Sequence, residues 1–456
     1  MCREICTRAT CLKIMPHNHR QADNLDRHLA VGERPNFREK IQQSLLRNRV
    51  QLLGGAVFAV LMPLNFRFGI ENVPISDATL LNTIVGSLFA LTTGFFFFRR
   101  LIDYPGTEGI AYAIPVFALT YGAASVIFLF LRLDYSRYVF GASYLLSVIW
   151  FTGISIAMTK LRTYRIGIVP GGDVLCLRSL PYAEWHVITD PGSIPIGLNA
   201  ITVDLRHSFT PEWERFVAEA AVSGTPVFDV KHLRETLTGR VQIAHLSENT
   251  LGALNPDDMY LKLKQALDWF AALVALVALA PFFALIVLAI RCETTGPAIF
   301  RQKRMGYRGR VFTLYKFRTM RMESDIVTDD RERAITREDD ARITRIGRFL
   351  RRTRIDELPQ LINILRGEMS WIGPRPEAVP LSEWYEKELP FYRYRHIVRP
   401  GISGWAQVMQ GHVASPDEVR EKLHYDFYYI KNFSPWLDIL IILKTIRTVL
   451  TGAGSR

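Results

Sequence analysis

Four long apolar runs follow one another in the first third of this sequence, at residues 52–68, 79–98, 109–131 and 138–158. A helix needs about 20 apolar residues to cross the hydrocarbon core of a bilayer, and each run comes close to that length. One such run also suits a buried helix of a soluble protein; four in succession argue for a membrane. Residues 51–160 are therefore expected to form an α-helical membrane bundle of four spans. Residues 1–50 are a polar, basic tail without a signal-peptide pattern. The whole chain is only 49% apolar, too little for membrane helices throughout. A chain of 456 residues has room for roughly three units of about 150 residues.

Lys and Arg mark the orientation. The tail is basic, Arg99 and Arg100 close the second run, and Lys160, Arg162 and Arg165 follow the fourth. The loop "GIENVPISDA" has neither residue type, whereas Arg132 and Arg137 after the third run oppose the trend. On balance both ends of the bundle face the cytoplasm. The net charge of +12 favours anionic partners, and the membrane runs argue against nucleic acid. Five cysteines, Cys2, Cys6, Cys11, Cys176 and Cys292, form no disulfide framework. The first three, with His17 and His19, match no common zinc spacing; they read as part of the tail, and Met15 is an alternative start.

Residues 161–260 change character. "RIGIV", "WHVIT", "AITVDL" and "TPVFDV" are short β-branched runs. "TPEWERFVAEAAVSG" reads as a helix with Thr210 as N-cap, Pro211 at its first position and Gly224 beyond its end. Strand, helix and strand at this spacing predict a small parallel α/β unit of Rossmann-like type. "GIVPGGD" resembles a phosphate-binding turn but lacks the G-x-G-x-x-G fingerprint, so a regulatory or structural module is the preferred reading over dinucleotide binding.

A fifth apolar run, residues 268–291, is also long enough to cross. Lys262 and Lys264 precede it, and Arg291, Arg301, Lys303 and Arg304 follow. Basic flanks at both ends want the same side of the membrane, and Pro281 near the middle removes a backbone hydrogen bond and bends the helix. A re-entrant segment broken at Pro281 satisfies both; a kinked crossing helix remains the alternative.

Beyond this run, "GPAIFRQKRMGYRGRVFTLYKFRTM" reads as a β-hairpin about "MGYRG". If "VFTLYKFRTM" is extended, Lys316 and Arg318 share one face about 7 Å apart, a spacing suited to a diphosphate, although edge strands also carry such cations for solubility. "RITRIGRFLRR" places Arg342, Arg345, Arg348 and Arg352 on one helical stripe and Ile343, Ile346 and Leu350 on another, suiting either an anionic bilayer surface or a solvated face over a core. In "RRTRIDELPQ" the neighbours Asp356 and Glu357 fall at the start of a helix that Pro359 opens and Gly367 closes. Acids there complement the helix dipole and need no further role. Their company suggests more: Arg351 and Arg352 precede them, and "WIGPRPE" follows, with Arg375 stiffened between two prolines. Carboxylates among arginines fit phosphoryl transfer, where a nucleophile, a divalent metal and positive charge act together.

"GPAIFRQKRMG", "YKFRTM", "RITRIGRFLRRTRIDELPQLINILRGEMSWIGPRPE", "VRPGISGWAQV" and "YDFYYIKNFSPWLDI" resemble, in order, the bacterial sugar transferase family, the polyprenyl-phosphate sugar phosphotransferases that begin capsule and exopolysaccharide assembly. The resemblance covers about residues 262–452, and the bundle with its α/β unit looks like the large multi-pass members. It implies that a sugar 1-phosphate moves from a UDP-sugar to undecaprenyl phosphate at the cytoplasmic face of the bacterial inner membrane, with UMP leaving. It implies Mg²⁺, Asp356 as a covalent nucleophile, and Glu357 as its partner in metal and phosphate positioning. It also implies phosphate contacts by Lys316, Arg351 and Arg375, a further acid, Asp426, near the site, and re-entry at Pro281. Residues 261–456 are then a membrane-associated α+β catalytic domain. Two positions depart from the family pattern: Arg354 stands where Ser is usual, and His412 where Arg is expected. Trp384, Tyr385, Phe391, Tyr392 and Tyr394 suit the membrane interface or, alternatively, a core. A hexose such as glucose or galactose is the expected sugar, with an N-acetylated one as alternative. Two rival functions are a glycosyltransferase that releases UDP and a non-catalytic scaffold that recruits polysaccharide-assembly proteins.

Overall fold

The computed structural model describes residues 47–451 except 71–75, 106, 108, 162–163, 181–182, 196, 243–255, 257, 322–341 and 411–415. The Cys/His tail and His412 lie outside the described residues. The chain divides into two units, Met1–Gly239 and Arg240–Arg456.

The first unit opens with four helices, α1 (Asn48–Gly69), α2 (Asp77–Ile102), α3 (Gly109–Phe130) and α4 (Arg137–Leu161). Each includes a stretch long and apolar enough to cross a membrane. Ser76 caps α2 by accepting from Thr79 N at 3.2 Å. Among the helices, the rings of Phe117 and Phe151 stack at 5.0 Å, and the Tyr121 hydroxyl lies 2.8 Å and 3.0 Å from those of Ser143 and Ser147. Hydroxyls inside such a bundle satisfy one another because hydrocarbon outside offers no partner. The outward positions, among them Phe96, Leu129 and Phe130, are exposed and apolar.

The α/β unit follows. Strands β1 (Arg165–Ile168), β2 (Glu184–Val187), β3 (Ala200–Val203) and β4 (Val227–Asp229) form an all-parallel sheet in the order β2-β1-β3-β4. Helix α5 (Pro211–Val222) connects β3 to β4, with Thr210 at the N-cap position and Gly224 at φ +87° beyond its end. Helix α6 (Val230–Thr238) ends on Gly239 at φ +69°. One sheet face packs Ile166 and Ile168 against Leu233 and Leu237; the other packs Ile201 and Val203 against Phe216 and Ala220. Cover on both faces explains why these strands read as continuous apolar runs. In the "GIVPGGD" turn Asp204 packs against the glycines. Its carboxylate accepts from Asp173 N at 3.0 Å, and a Cβ on Gly172 would lie 2.3 Å from it.

In the second unit α7 (Asp258–Glu293) begins ten residues before the apolar run and stays helical through Pro281, so any bend there lies inside one helix. The expected hairpin is present: β5 (Ile299–Met305) pairs antiparallel with β6 (Val311–Phe317), Phe300 opposite Lys316. Helix α8 (Arg345–Arg352) is capped by Thr344, whose hydroxyl accepts from Gly347 N at 2.8 Å. A 3-10 turn (Ile355–Gln360) leads into α9 (Leu361–Leu365), closed by Gly367 at φ +72°. The remaining strands and α-helices are β7 (Ser370–Ile372), α10 (Val379–Glu388), β8 (Gly401–Ser403), α11 (Trp405–Met409), α12 (Pro416–Lys431) and α13 (Pro435–Thr451).

Two apolar clusters join α7 to this unit. Ala272 packs with Phe312, Leu314, Leu361 and Ile364, and further along Ile286 and Ile290 pack with Phe317 and Leu350. The apolar stripe of "RITRIGRFLRR" is thus a packing face, while Arg345, Arg348 and Arg352 stay exposed; Arg342 precedes the helix. Of the five aromatics suggested for the membrane interface, Tyr385 and Tyr392 are core residues, 6% and 1% exposed, because their rings pack on one another beside a buried ion network.

Candidate active site

The 3-10 turn lies against β6 and carries both acids at its start. Arg354, just before it, adopts the left-handed conformation at φ +56°, and the Glu357 N–H bonds back to the Arg354 carbonyl at 3.2 Å. The acids therefore occupy a tight turn ahead of α9, where an ordinary α-helix start was expected. The turn is fixed to the hairpin by Asn363, fully buried on α9. Its Oδ1 accepts from Tyr315 N at 3.2 Å and its Nδ2 donates to Thr313 O at 2.7 Å. One side chain thereby continues the hydrogen bonding of β6 and sets its register against the acids. A lone amide within "LINIL" was the available signal, and sequence reading missed it.

Lys316 and Arg375 converge on one carboxylate oxygen. Lys316 Nζ lies 3.2 Å and Arg375 Nη2 3.0 Å from Glu357 Oε1. Glu357 Oε2 is buried and has no hydrogen-bond partner among the described residues. Burial would raise the Glu357 pKa, but Arg375 and Lys316 together hold it well below the ordinary carboxylate range. Asp356 is different. It is 8% exposed, and no hydrogen bond or ion pair engages its carboxylate among the described residues. Burial, with the charge of Glu357, raises its pKa against the pull of Lys316, Arg375 and Arg351. One acid is thus locked as an anion by direct cations, and the carboxylate of its buried neighbour is unbonded among the described residues.

Arg375 is held from behind by a buried ion network. Its carbonyl accepts from Arg395 Nη2 at 2.9 Å, and the same nitrogen lies 2.8 Å from Asp426 Oδ2. Glu377 gathers Lys422 at 2.5 Å, Arg395 at 3.9 Å and Arg304 at 4.0 Å, and Arg304 donates to Pro376 O at 2.9 Å. The "GPRP" segment is also pressed against β8: a Cβ on Gly401 would sit 2.1 Å from Gly373 N, so only glycine permits that approach. Arg375 thus owes its stiffness to this network and close backbone packing as well as to its prolines.

The remaining expected site residues divide. Arg351 lies near Asp356, its Nε donating to Thr319 Oγ1 at 2.9 Å. Asp426 sits behind Arg375, paired with Arg395. Arg318 does not share the site: β6 ends at Phe317, so strand alternation no longer holds, and the Arg318 guanidinium turns to the C-terminal end of α7. There it donates to Thr294 O and Thr295 O, each at 2.9 Å. Glu377, Arg395, Lys422 and Arg304 were not foreseen; the cluster "RPE" with "RYRH" was visible, but its pairing depends on the fold.

Two expected results follow. Lys316→Ala and Arg375→Ala should each lower activity with respect to the phosphate-bearing donor by about tenfold to a hundredfold, the worth of a charge-assisted contact. Unchanged donor dependence in both, measured by steady-state kinetics, would leave them as structural partners of Glu357 alone. His396, buried beside Arg395, has its pKa pushed down to about 3 by burial first and that charge second. The unfolded histidine titrates near 6.5, so stability is lost as pH falls from about 6.5 towards 3, on the order of 2 kcal/mol between pH 7 and 5. Thermal unfolding in detergent at those two pH values should show this loss, and His396→Gln should flatten it.

Residues 259–452 match the family model for bacterial sugar transferases. The sequence is 42% identical over 404 residues to UDP-N-acetylgalactosamine-undecaprenyl-phosphate N-acetylgalactosaminephosphotransferase of Aeromonas hydrophila, covering 88% of this chain and 94% of that protein. It is 40% identical over 214 residues to UDP-glucose:undecaprenyl-phosphate glucose-1-phosphate transferase of Xanthomonas campestris pv. campestris, covering 46% of this chain and 43% of that protein. It is 43% identical over 202 residues to exopolysaccharide production protein PSS of Rhizobium leguminosarum bv. phaseoli, covering 43% of this chain and 100% of that protein. The first likeness runs through both units, whereas the other two take in less than half of the chain.

Proposed function

Because the chain belongs to the bacterial sugar transferase family, we propose that it transfers a sugar 1-phosphate from a UDP-sugar to undecaprenyl phosphate and releases UMP. The first chemical step is attack by an Asp356 oxygen on the phosphorus that bears the sugar. A P–O bond to Asp356 forms, the P–O bond to UMP breaks, and UMP leaves with the electron pair. A phosphate oxygen of undecaprenyl phosphate then attacks the same phosphorus. That step releases Asp356 and yields the sugar on a lipid diphosphate. Splitting the transfer lets one small site meet a polar donor and an apolar acceptor in turn. The observation that carries this reading is the contrast between the acids: Glu357 is tied to Lys316 and Arg375, while Asp356 is buried beside them with its oxygens unbonded.

The donor set also fits Mg²⁺. The bare Glu357 Oε2 and the unbonded Asp356 carboxylate are the oxygens that would hold it. No group of three or more His, Cys, Asp or Glu is gathered among the described residues, and Mg²⁺ commonly takes only one or two protein carboxylates, completing its shell with phosphates and water. When bound, the ion offsets the negative charge of the donor diphosphate and the two acids. Lys316, Arg375 and Arg351 hold the phosphates and orient the reacting phosphorus toward Asp356.

N-acetylgalactosamine is the sugar to test first, since the relative matched across both units carries it in its name; glucose is the second. The test incubates purified protein and undecaprenyl phosphate with UDP-N-acetylgalactosamine, UDP-glucose and UDP-galactose and follows the nucleotide released. UMP with a lipid diphosphate sugar supports the proposal. UDP would mean a glycosyltransferase, and no turnover with any donor would favour a scaffold.

The proposed membrane arrangement has four spans in the first unit, the Rossmann-like unit and the catalytic unit in the cytoplasm, and α7 re-entering at Pro281 in the inner membrane. Contacts at both ends of α7 support it. Lys264 pairs with Asp438 at 2.9 Å near one end, and Glu293 accepts from Arg345 N at 2.7 Å at the other. One unit thus grips both ends of the helix that carries the most apolar membrane-length stretch among the described residues. In a chain whose only cysteines are native Cys176 and Cys introduced at Lys303, neither should react with a membrane-impermeant thiol reagent until cells are opened. Labelling of position 303 alone in sealed cells would establish a fifth crossing.

A further inference from the structure

A cleft of about 420 Å³ lies between the first turns of α7, the end of α9 and the chain before β8. Lys262, Arg366 and Arg399 rim it, and Leu261, Trp269 and Phe433 supply apolar wall. The one acid in its lining, Asp268, is already matched: Lys264 Nζ lies 3.4 Å away, and Ser370 Oγ donates to it at 2.5 Å. Each rim cation keeps donors to spare among the described residues. Arg366 gives Nη1 to the Tyr315 hydroxyl at 2.7 Å, Arg399 gives Nε to Gly367 O at 2.8 Å, and Lys262 is exposed and unbonded. The two arginines are fixed in place by the rings of Tyr315 and Tyr307, at 5.1 Å and 5.4 Å.

This cleft is separate from the active site. Lys316 faces Glu357, whereas its neighbour Tyr315, whose hydroxyl holds Arg366, lies on the opposite face of β6. A phosphate in the cleft is therefore not presented to Asp356. The cleft also opens where α7 turns apolar. Trp269, 47% exposed, stands two turns on from Lys262, and Leu273 and Val277, 36% and 67% exposed, continue that face of α7 as an exposed apolar stripe. A cationic pocket joined to an apolar track matches a molecule with a phosphate at one end and acyl chains at the other.

We propose that this cleft binds the phosphate of an anionic phospholipid, with Lys262, Arg366 and Arg399 as its ligands and the acyl chains along the exposed stripe of α7. The bound lipid is a resident component at the membrane entry of α7, distinct from the substrate. The experiment is native mass spectrometry of the full chain released from micelles containing phosphatidylglycerol or zwitterionic phosphatidylcholine. The wild type should retain one phosphatidylglycerol in preference to phosphatidylcholine. Lys262→Gln, an exposed position that the fold does not use, should weaken retention about tenfold, the loss expected for one charge-assisted contact. The double variant Arg366→Gln/Arg399→Gln should abolish it, with thermal unfolding as the check on its fold. Equal retention of both lipids, or undiminished retention in Lys262→Gln, would overturn the proposal. So would displacement of the lipid by millimolar inorganic phosphate, which would make the cleft a free-phosphate site.

Discussion

Asp356→Asn should leave a folded protein with no measurable sugar-phosphate transfer. The amide keeps the shape of the side chain and removes the anion proposed to attack, so the loss should reach about four orders of magnitude or more. The structure makes this a clean test. Asp356 makes no hydrogen bond that Asn would forfeit among the described residues, and burial already disfavours its charge. The melting temperature should therefore stay level or rise while UMP release disappears, and sugar phosphate from labelled donor should no longer attach to the protein. An acid serving only as a helix-start charge would behave in the opposite way, with modest destabilisation and full activity. Near-normal UMP release from the variant would remove Asp356 from the chemistry.

Chelation should be nearly as severe. With EDTA present, turnover should fall to background, and added Mg²⁺ should restore it. The donor diphosphate would otherwise meet two carboxylates whose nearest cations are already engaged by Glu357. Glu357→Gln should leave a residual rate that needs more Mg²⁺ to saturate, because it removes one of the two carboxylates proposed to hold the ion. Full activity in chelator would defeat this assignment and leave Lys316, Arg375 and Arg351 as the only balancing charge.

Local patterns suffice wherever a feature rests on its neighbours in sequence. The apolar runs, the hairpin about "MGYRG", the α5 boundaries at Thr210, Pro211 and Gly224, and Gly367 closing α9 all follow from periodicity, fixed φ or freedom at positive φ. The adjacency of Asp356 and Glu357 was visible in the same way. Strand alternation holds only to Phe317: Lys316 stands against Glu357, whereas Arg318, one residue past the strand, turns to the end of α7.

What the sequence by itself determined, then, was the division into apolar helices, a parallel α/β unit and an arginine-rich half carrying two neighbouring acids. The tertiary structure alone decided which cations reach which oxygen. Lys316 is 41 positions and Arg375 18 positions from Glu357, and Arg375 depends on Arg395, Glu377, Asp426 and Lys422 behind it. A charged side chain carries no local mark of its partner. Buried charges are stable only in pairs, so the choice among many arginines is made by the packing that brings distant segments together and excludes water between them.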